Sequence, residues 1–183
     1  VGRIENKIDK YLKEVEDYNF FFVVIRESES NSDRRIFNDI IQLRDYNRDI
    51  LYKQWCDSIA DKSITSRWSK RTEDSYTIKE GIFPLQKSRY VNRKTGFVEL
   101  AYIIQDGYTR AGFRIGLDFT LHHMIHRSSY YTENRGPWIR GMKRGASGGC
   151  MVLPKDNNDI FTYMTNNSID YKTKHLIIIN DFR

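Results

Sequence analysis

Cysteine is scarce in this chain. Cys56 and Cys150 are the only two among 183 residues, which excludes a disulfide-stapled scaffold. Their separation gives neither a zinc-finger pair nor a dithiol redox motif. They read as two buried thiols, with a single disulfide left open. Proline is scarcer than usual, at three residues beside 11 glycines. With no low-complexity tract or solenoid-length repeat, this excludes a Pro/Gly-rich disordered chain and a repeat array. Long apolar runs are also missing: residues 20–25 form the longest, and runs such as 176–179 are shorter still, far below the roughly 20 residues of a membrane-spanning helix. No membrane partner is expected, and residues 1–17 lack the basic-then-apolar layout of a secretory signal. Neither sign of charge is short. The 30 basic and 24 acidic side chains give +6 and are intermixed, an ordinary solvated surface that does not call for a nucleic-acid partner.

What the chain does have is tyrosine, 12 of them, which brings large contact areas with a polar tip. Length and apolar content suit one domain spanning 1–183. Ile4, Ile8, Tyr11 or Leu12, and Val15 recur at helical spacing, which predicts an amphipathic N-terminal helical arm within 1–17. The aromatic and β-branched run at 20–25 predicts a buried strand, followed by a polar turn over 27–33. Between Arg34 and Ala60 helix and strand patterns compete. Strict alternation returns at Val98, Leu100, Tyr102 and Ile104, and again at Phe113, Ile115, Leu117, Phe119 and Leu121; two such segments predict an antiparallel hairpin with a longer loop. Residues 150–153 and 175–180 add further strands. The expected fold is mainly β, an antiparallel β-sandwich of jelly-roll type with peripheral helices.

A search for chemistry returns little. His122, His123 and His126 crowd one segment, but Asp118 is the only close carboxylate and Glu133 lies beyond two tyrosines, so no metal shell is completed. Gly145, Ala146, Ser147, Gly148 and Gly149 superficially match a protease serine loop. The histidines lie only some twenty residues upstream, too near for the two barrels that chemistry uses. No Lys-Ser or Lys-Thr follows for a phosphate loop. The segment reads as a flexible loop after Lys143 and Arg144. No catalytic, cofactor-binding or metal-binding residue is assigned, and the expectation is a protein that is not an enzyme and carries no cofactor.

Two families share patterns with this chain. Gly107, Tyr108, Gly112, Gly116, Asp118 and Phe119 resemble the glycine-rich strand region of the tRNA-splicing endonucleases. That resemblance would give His126 and Lys174 acid-base and electrostatic roles in RNA cleavage, with His122 where the family has tyrosine. The second resemblance runs the length of the chain. Residues 36–41, Trp55, Trp68 with Glu73, Asp74, Ser75 and Tyr76, the strand Val98–Ile104, Thr109, Arg110 and Arg114, residues 119–124, Pro137 and Trp138, Lys143 to Gly145 with Gly148 to Cys150, and Tyr171, Lys172 and residues 175–179 resemble, in order, blocks of the baculovirus polyhedrins and granulins. The chain departs from that family by extra residues between Tyr76 and Val98, and by the absence of a long acidic C-terminal extension and a tetrabasic run. This resemblance implies a structural matrix protein that assembles with itself into a crystalline occlusion body around virions, in the host nucleus. It also implies dissolution in alkali. There, 13 lysines lose charge as 12 tyrosines gain it, and the net charge changes sign. The alternatives are the RNA-cleaving subunit and a basic nucleic-acid-binding domain.

Overall fold

The run at 20–25 is apolar on both faces because the strand it forms, β1 (Phe20–Arg26), is covered on both. Phe22 and Val24 enter the principal core beside Leu176 and Ile178 of β8 (Thr173–Asn180). Phe21, Val23 and Ile25 face the other way. There, with Ile177 and Ile179, they lie under Ile8, Tyr11 and Leu12 of helix α1 (Arg3–Leu12). Parallel strands buried on both sides read as continuous apolar runs, and β1 and β8 are parallel, with Phe22 opposite Leu176 and Val24 opposite Ile178.

This computed structural model describes residues 2–29, 36–62, 65, 72–92, 95–116, 123–131 and 147–182. The remaining strands are β2 (Asp39–Arg44), β3 (Ile50–Cys56), β4 (Gly81–Val91), β5 (Val98–Ile104), β6 (Met124–Tyr131) and β7 (Met151–Lys155). They join one sheet in the order β3-β2-β1-β8-β4-β5-β6-β7. An antiparallel bridge ties Asp57, just past β3, to Val152 of β7, with N···O distances of 2.9 and 2.8 Å. The two ends of the sheet therefore approach one another and the sheet nearly closes into a barrel. Helix α2 (Ile160–Asn166) is capped by Asp159, which accepts from the Thr162 N–H at 3.0 Å, and it sends Ile160, Phe161 and Met164 into the core. Among the described residues no helix is long and apolar enough to cross a membrane.

The protein is mainly β with the expected N-terminal helix, but the sheet is mixed where an antiparallel sandwich of jelly-roll type was expected. Two of its seven neighbouring pairs, β1 with β8 and β6 with β7, are parallel. The hairpin expected between 98–104 and 113–121 is also corrected. Strand β5 pairs with β4 and β6 instead, and the glycine-rich segment is spent on a tight turn, with Tyr108 bridged to Arg114 and Gly112 and Gly116 at φ of 89° and 83°. Leu117, Asp118, Phe119 and Leu121 lie outside the described residues, as do Trp68, His122, Glu133, Pro137, Trp138 and 143–146. The ambiguous stretch after Arg34 holds the β2–β3 hairpin, and the residues between Tyr76 and Val98 build β4.

Beneath the near-closure sits a buried charge. Arg26, with no exposed surface, donates Nε–H to Ser58 Oγ (2.9 Å), one Nη to the Ile78 carbonyl (2.6 Å) and the other to the Ser58 carbonyl (3.1 Å). Asp39 accepts from the Ser58 N–H (3.0 Å) and hydroxyl (2.6 Å). Burial pulls Arg26 down to about 10, against the opposing charge of Asp39, so it stays a cation at neutral pH.

Asp57 behaves differently. Burial pushes its carboxyl well up, reinforced by the charges of Asp39 and Asp61 and opposed by the Ile59 N–H and Arg26. A carboxyl raised in the fold contributes stability that is complete below its unfolded pKa, near ~4, and is lost as pH rises through the folded one. Asp57→Asn removes that titration and keeps the shape of the protonated side chain. The variant is expected to match the parent near pH ~4 and to exceed it at neutral pH in urea unfolding. Parallel pH dependences of the two proteins would refute the assignment.

Candidate active site

The parallel pairing of β6 and β7 sets Ile125 opposite Met151, His126 opposite Val152 and Arg127 opposite Leu153. Cys150 immediately precedes β7, so the same register brings it to the start of β6. There the Met124 N–H donates to its sulfur at 3.4 Å. The loop leading in is braced on itself: Ser147 Oγ accepts from the Gly149 N–H at 3.0 Å and donates to the Cys150 carbonyl at 2.6 Å.

Gly149 is the position that requires glycine. Its φ is 118°, and a Cβ there would meet the Tyr76 carbonyl oxygen at 2.4 Å and His123 Nε2 at 2.5 Å. Those two atoms bond each other at 2.5 Å, with His123 donating, so neither can yield easily. Gly149→Ala is expected to cost roughly 1–3 kcal/mol in urea unfolding from strain alone, and a change within a few tenths of the parent would argue against this loop geometry.

His126 is held from two sides. Its Nδ1 lies 2.8 Å from the Arg127 carbonyl oxygen, and a carbonyl only accepts, so Nδ1 carries a proton and, in the neutral ring, Nε2 is the acceptor nitrogen. The Tyr90 ring stacks on the imidazole at 4.3 Å between centroids and 21° between planes. Arg127 itself is anchored to the N-terminus of α2, where its guanidinium grips both carboxylate oxygens of the fully buried Asp159 at 2.5 and 2.7 Å and reaches Thr162 Oγ1 at 3.0 Å. The carbonyl that orients the histidine therefore belongs to a residue whose side chain is fixed.

Electrostatics follow from this contact. Burial raises the Cys150 thiol, but the hydrogen bond and charge of His126 and the Met124 N–H outweigh it, and the net shift is downward. Burial lowers His126, but the Cys150 hydrogen bond and thiolate charge, the Arg127 carbonyl and the Glu99 carboxylate outweigh it, and the net shift is upward. Each partner favours the charged form of the other, the condition for a thiolate–imidazolium pair. Cys56 is the contrast. It is free and fully buried, and burial with the charges of Asp39 and Asp57 drives its thiol well up.

Neither thiol is part of a disulfide, and Cys150 is half-buried and paired where a plain buried thiol was expected. Of the histidines singled out in the sequence, His123 is spent on the Tyr76 carbonyl and His122 lies outside the described residues. His126 and Lys174 are not brought together. They sit on β6 and β8, with β4 and β5 between, three strand steps or about 14 Å apart at ~4.8 Å each. Lys174 instead lines an open cavity of about 610 Å³ with Asp17, Tyr18, Tyr46, Tyr171 and His175. Sequence reasoning missed the partnership of His126 with Cys150 because the two stand 24 positions apart and only a parallel pairing across the intervening crossover joins them. The available signal was the Ser147-Gly148-Gly149-Cys150 turn running straight into an apolar strand.

A nearly closed mixed sheet carrying a cysteine–histidine pair at the head of two parallel strands is the class of protein this defines. Comparison with protein-family models, curated proteins and solved structures finds no match to the chain.

Proposed function

We propose that this chain is a cysteine-nucleophile acyl-transfer enzyme that attacks an amide or ester carbonyl and carries the acyl group as a thioester on Cys150. The observation behind this reading is the β6–β7 register, which sets His126 opposite Val152 and so two residues along from Cys150, with the imidazole oriented by the Arg127 carbonyl. Nucleophile, base and orienting acceptor form the constellation that covalent acyl transfer needs.

The Cys150 thiolate adds to the carbonyl carbon, and the carbonyl oxygen takes up the negative charge. His126 Nε2–H then protonates the leaving amine or alcohol as the C–N or C–O bond breaks, leaving the thioester and a neutral imidazole. Water or an amine attacks next, His126 takes its proton, and the thiolate leaves as the acid or new amide departs. This reading stands in place of the sequence expectation of a chain without catalytic residues. The occlusion-matrix role rests on the polyhedrin resemblance alone and draws on no feature of this geometry. For its alkaline release, Tyr11 and Tyr102 would ionise late, since burial pushes both phenols up.

The test uses p-nitrophenyl acetate as acyl donor. The expected result is an acetyl adduct on Cys150, located by peptide mass spectrometry and released by hydroxylamine. It is absent from Cys150→Ala and forms about 10²- to 10⁴-fold more slowly in His126→Ala. An adduct yield unaffected by Cys150→Ala would overturn the proposal.

A further inference from the structure

Next to this pair lies a second buried pair of charges that the chemistry above does not use. Glu99 on β5 and Lys155 on β7 meet at 2.6 Å, with side chains only 9% and 5% exposed. The second carboxylate oxygen of Glu99 is buried and has no hydrogen-bond partner among the described residues. Two registers bring this carboxylate toward the histidine. Across β4 and β5, Glu99 is directly opposite Tyr90, the ring stacked on His126. Across β5 and β6, Tyr102 is opposite Ile125; continuing that register sets Ala101 opposite His126 and Glu99 one step along the same face, a diagonal separation of about 7–8 Å.

We propose that Glu99, clamped by Lys155, is a positioning residue that keeps His126 protonated beside the Cys150 thiolate. The inference builds on the acyl-transfer reading of the same pair. A carboxylate out of water and short of one hydrogen bond exerts a field that solvent screens little. Lys155 pairs with one oxygen at 2.6 Å, so what reaches the imidazole is the field of an oriented ion pair whose carboxylate lies toward it through Tyr90 and the β5–β6 register. The groups around the imidazole are Tyr90 from β4, Glu99 from β5, Cys150 and Lys155 from the loop and strand of β7, and Arg127 from its own strand. Arg127 is paired with Asp159 and Lys155 is turned to Glu99. Glu99 is therefore the fixed negative charge of the set, and it acts on the proton that Nε2 must later deliver.

The test is the pH titration of the His126 ring by NMR in the full chain, with Glu99→Gln as the variant because it removes charge and keeps shape. The midpoint of His126 is expected to fall in the variant while those of His123 and His175 stay in place, and the alkaline limb of acetyl transfer is expected to move to lower pH with it. If Gln at 99 prevents folding, Glu99→Leu with Lys155→Met removes both charges and leaves none orphaned, and the same downward movement is expected. An unchanged His126 midpoint in a folded variant would overturn the proposal. A shifted midpoint in a protein that forms no acetyl-Cys150 would instead leave Glu99 in its role and remove the acyl-transfer reading.

Discussion

Iodoacetamide is expected to label Cys150 in the native protein at neutral pH and to leave Cys56 untouched until the chain unfolds. Burial raises both thiols, and their neighbours then set them apart. Cys56 is sealed in the core with its thiol raised by burial, whereas Cys150 is half-buried and lowered by the His126 hydrogen bond and charge and by the Met124 N–H. An ordinary thiol, with a pKa near ~8.5, is only about 3% thiolate at pH ~7, so a lowered one gains up to roughly thirtyfold in its reactive form. His126→Ala removes the largest lowering influence. The midpoint of the labelling rate against pH is expected to move up to or beyond that of a free thiol, because burial then acts almost alone. Equal labelling of both cysteines, or a midpoint indifferent to His126, would show that the two side chains do not form a pair in solution.

The largest loss of stability is expected at Arg26. Its three nitrogens bond Ser58 and the Ile78 carbonyl with no solvent contact, and Asp39 shares Ser58 from the other side. Arg26→Met leaves Asp39 without its counter-charge and two carbonyls without donors, a change of the kind that costs about 3–5 kcal/mol. That is a large part of the 5–15 kcal/mol typical of a whole domain. Adding Asp39→Leu is expected to recover part of the loss, since a buried apolar pair is cheaper than one unpaired charge. Urea unfolding of the two variants reads both numbers. A single variant within 1 kcal/mol of the parent would mean that Arg26 is not buried as described.

Local patterns were legible where a residue's neighbours in sequence are also its neighbours in space. The spacing of Ile8, Tyr11 and Leu12 marked α1, the apolar run at 20–25 marked β1 as a buried strand, and residues 175–180 marked β8 as a strand. Alternation at Val98–Ile104 marked β5, but the partner expected for it, 113–121, gave way to β4 and β6. Asp106, Gly107 and Gly112 look like hairpin chemistry from the sequence, and Gly116 like part of the strand after it. In the fold they turn the chain sharply before β6, which supplies the edge that β5 needed.

What the sequence determined by itself, then, is a mainly β chain with an amphipathic N-terminal helix, two core strands without polar faces and one cysteine behind a Ser-Gly-Gly turn. These are consequences of side-chain period and local backbone freedom, which act over a few residues. Tertiary structure alone decided which strands run parallel, that Asp57 and Val152 draw the sheet ends together, and that Cys150 comes to the head of β6 near His126, whose Nδ1 rests on the Arg127 carbonyl. Parallel pairing is closed through a crossover and carries no turn signature in the sequence. The choice is made by which faces bury together, and the electrostatics of the pair exist only once that burial has excluded water from it.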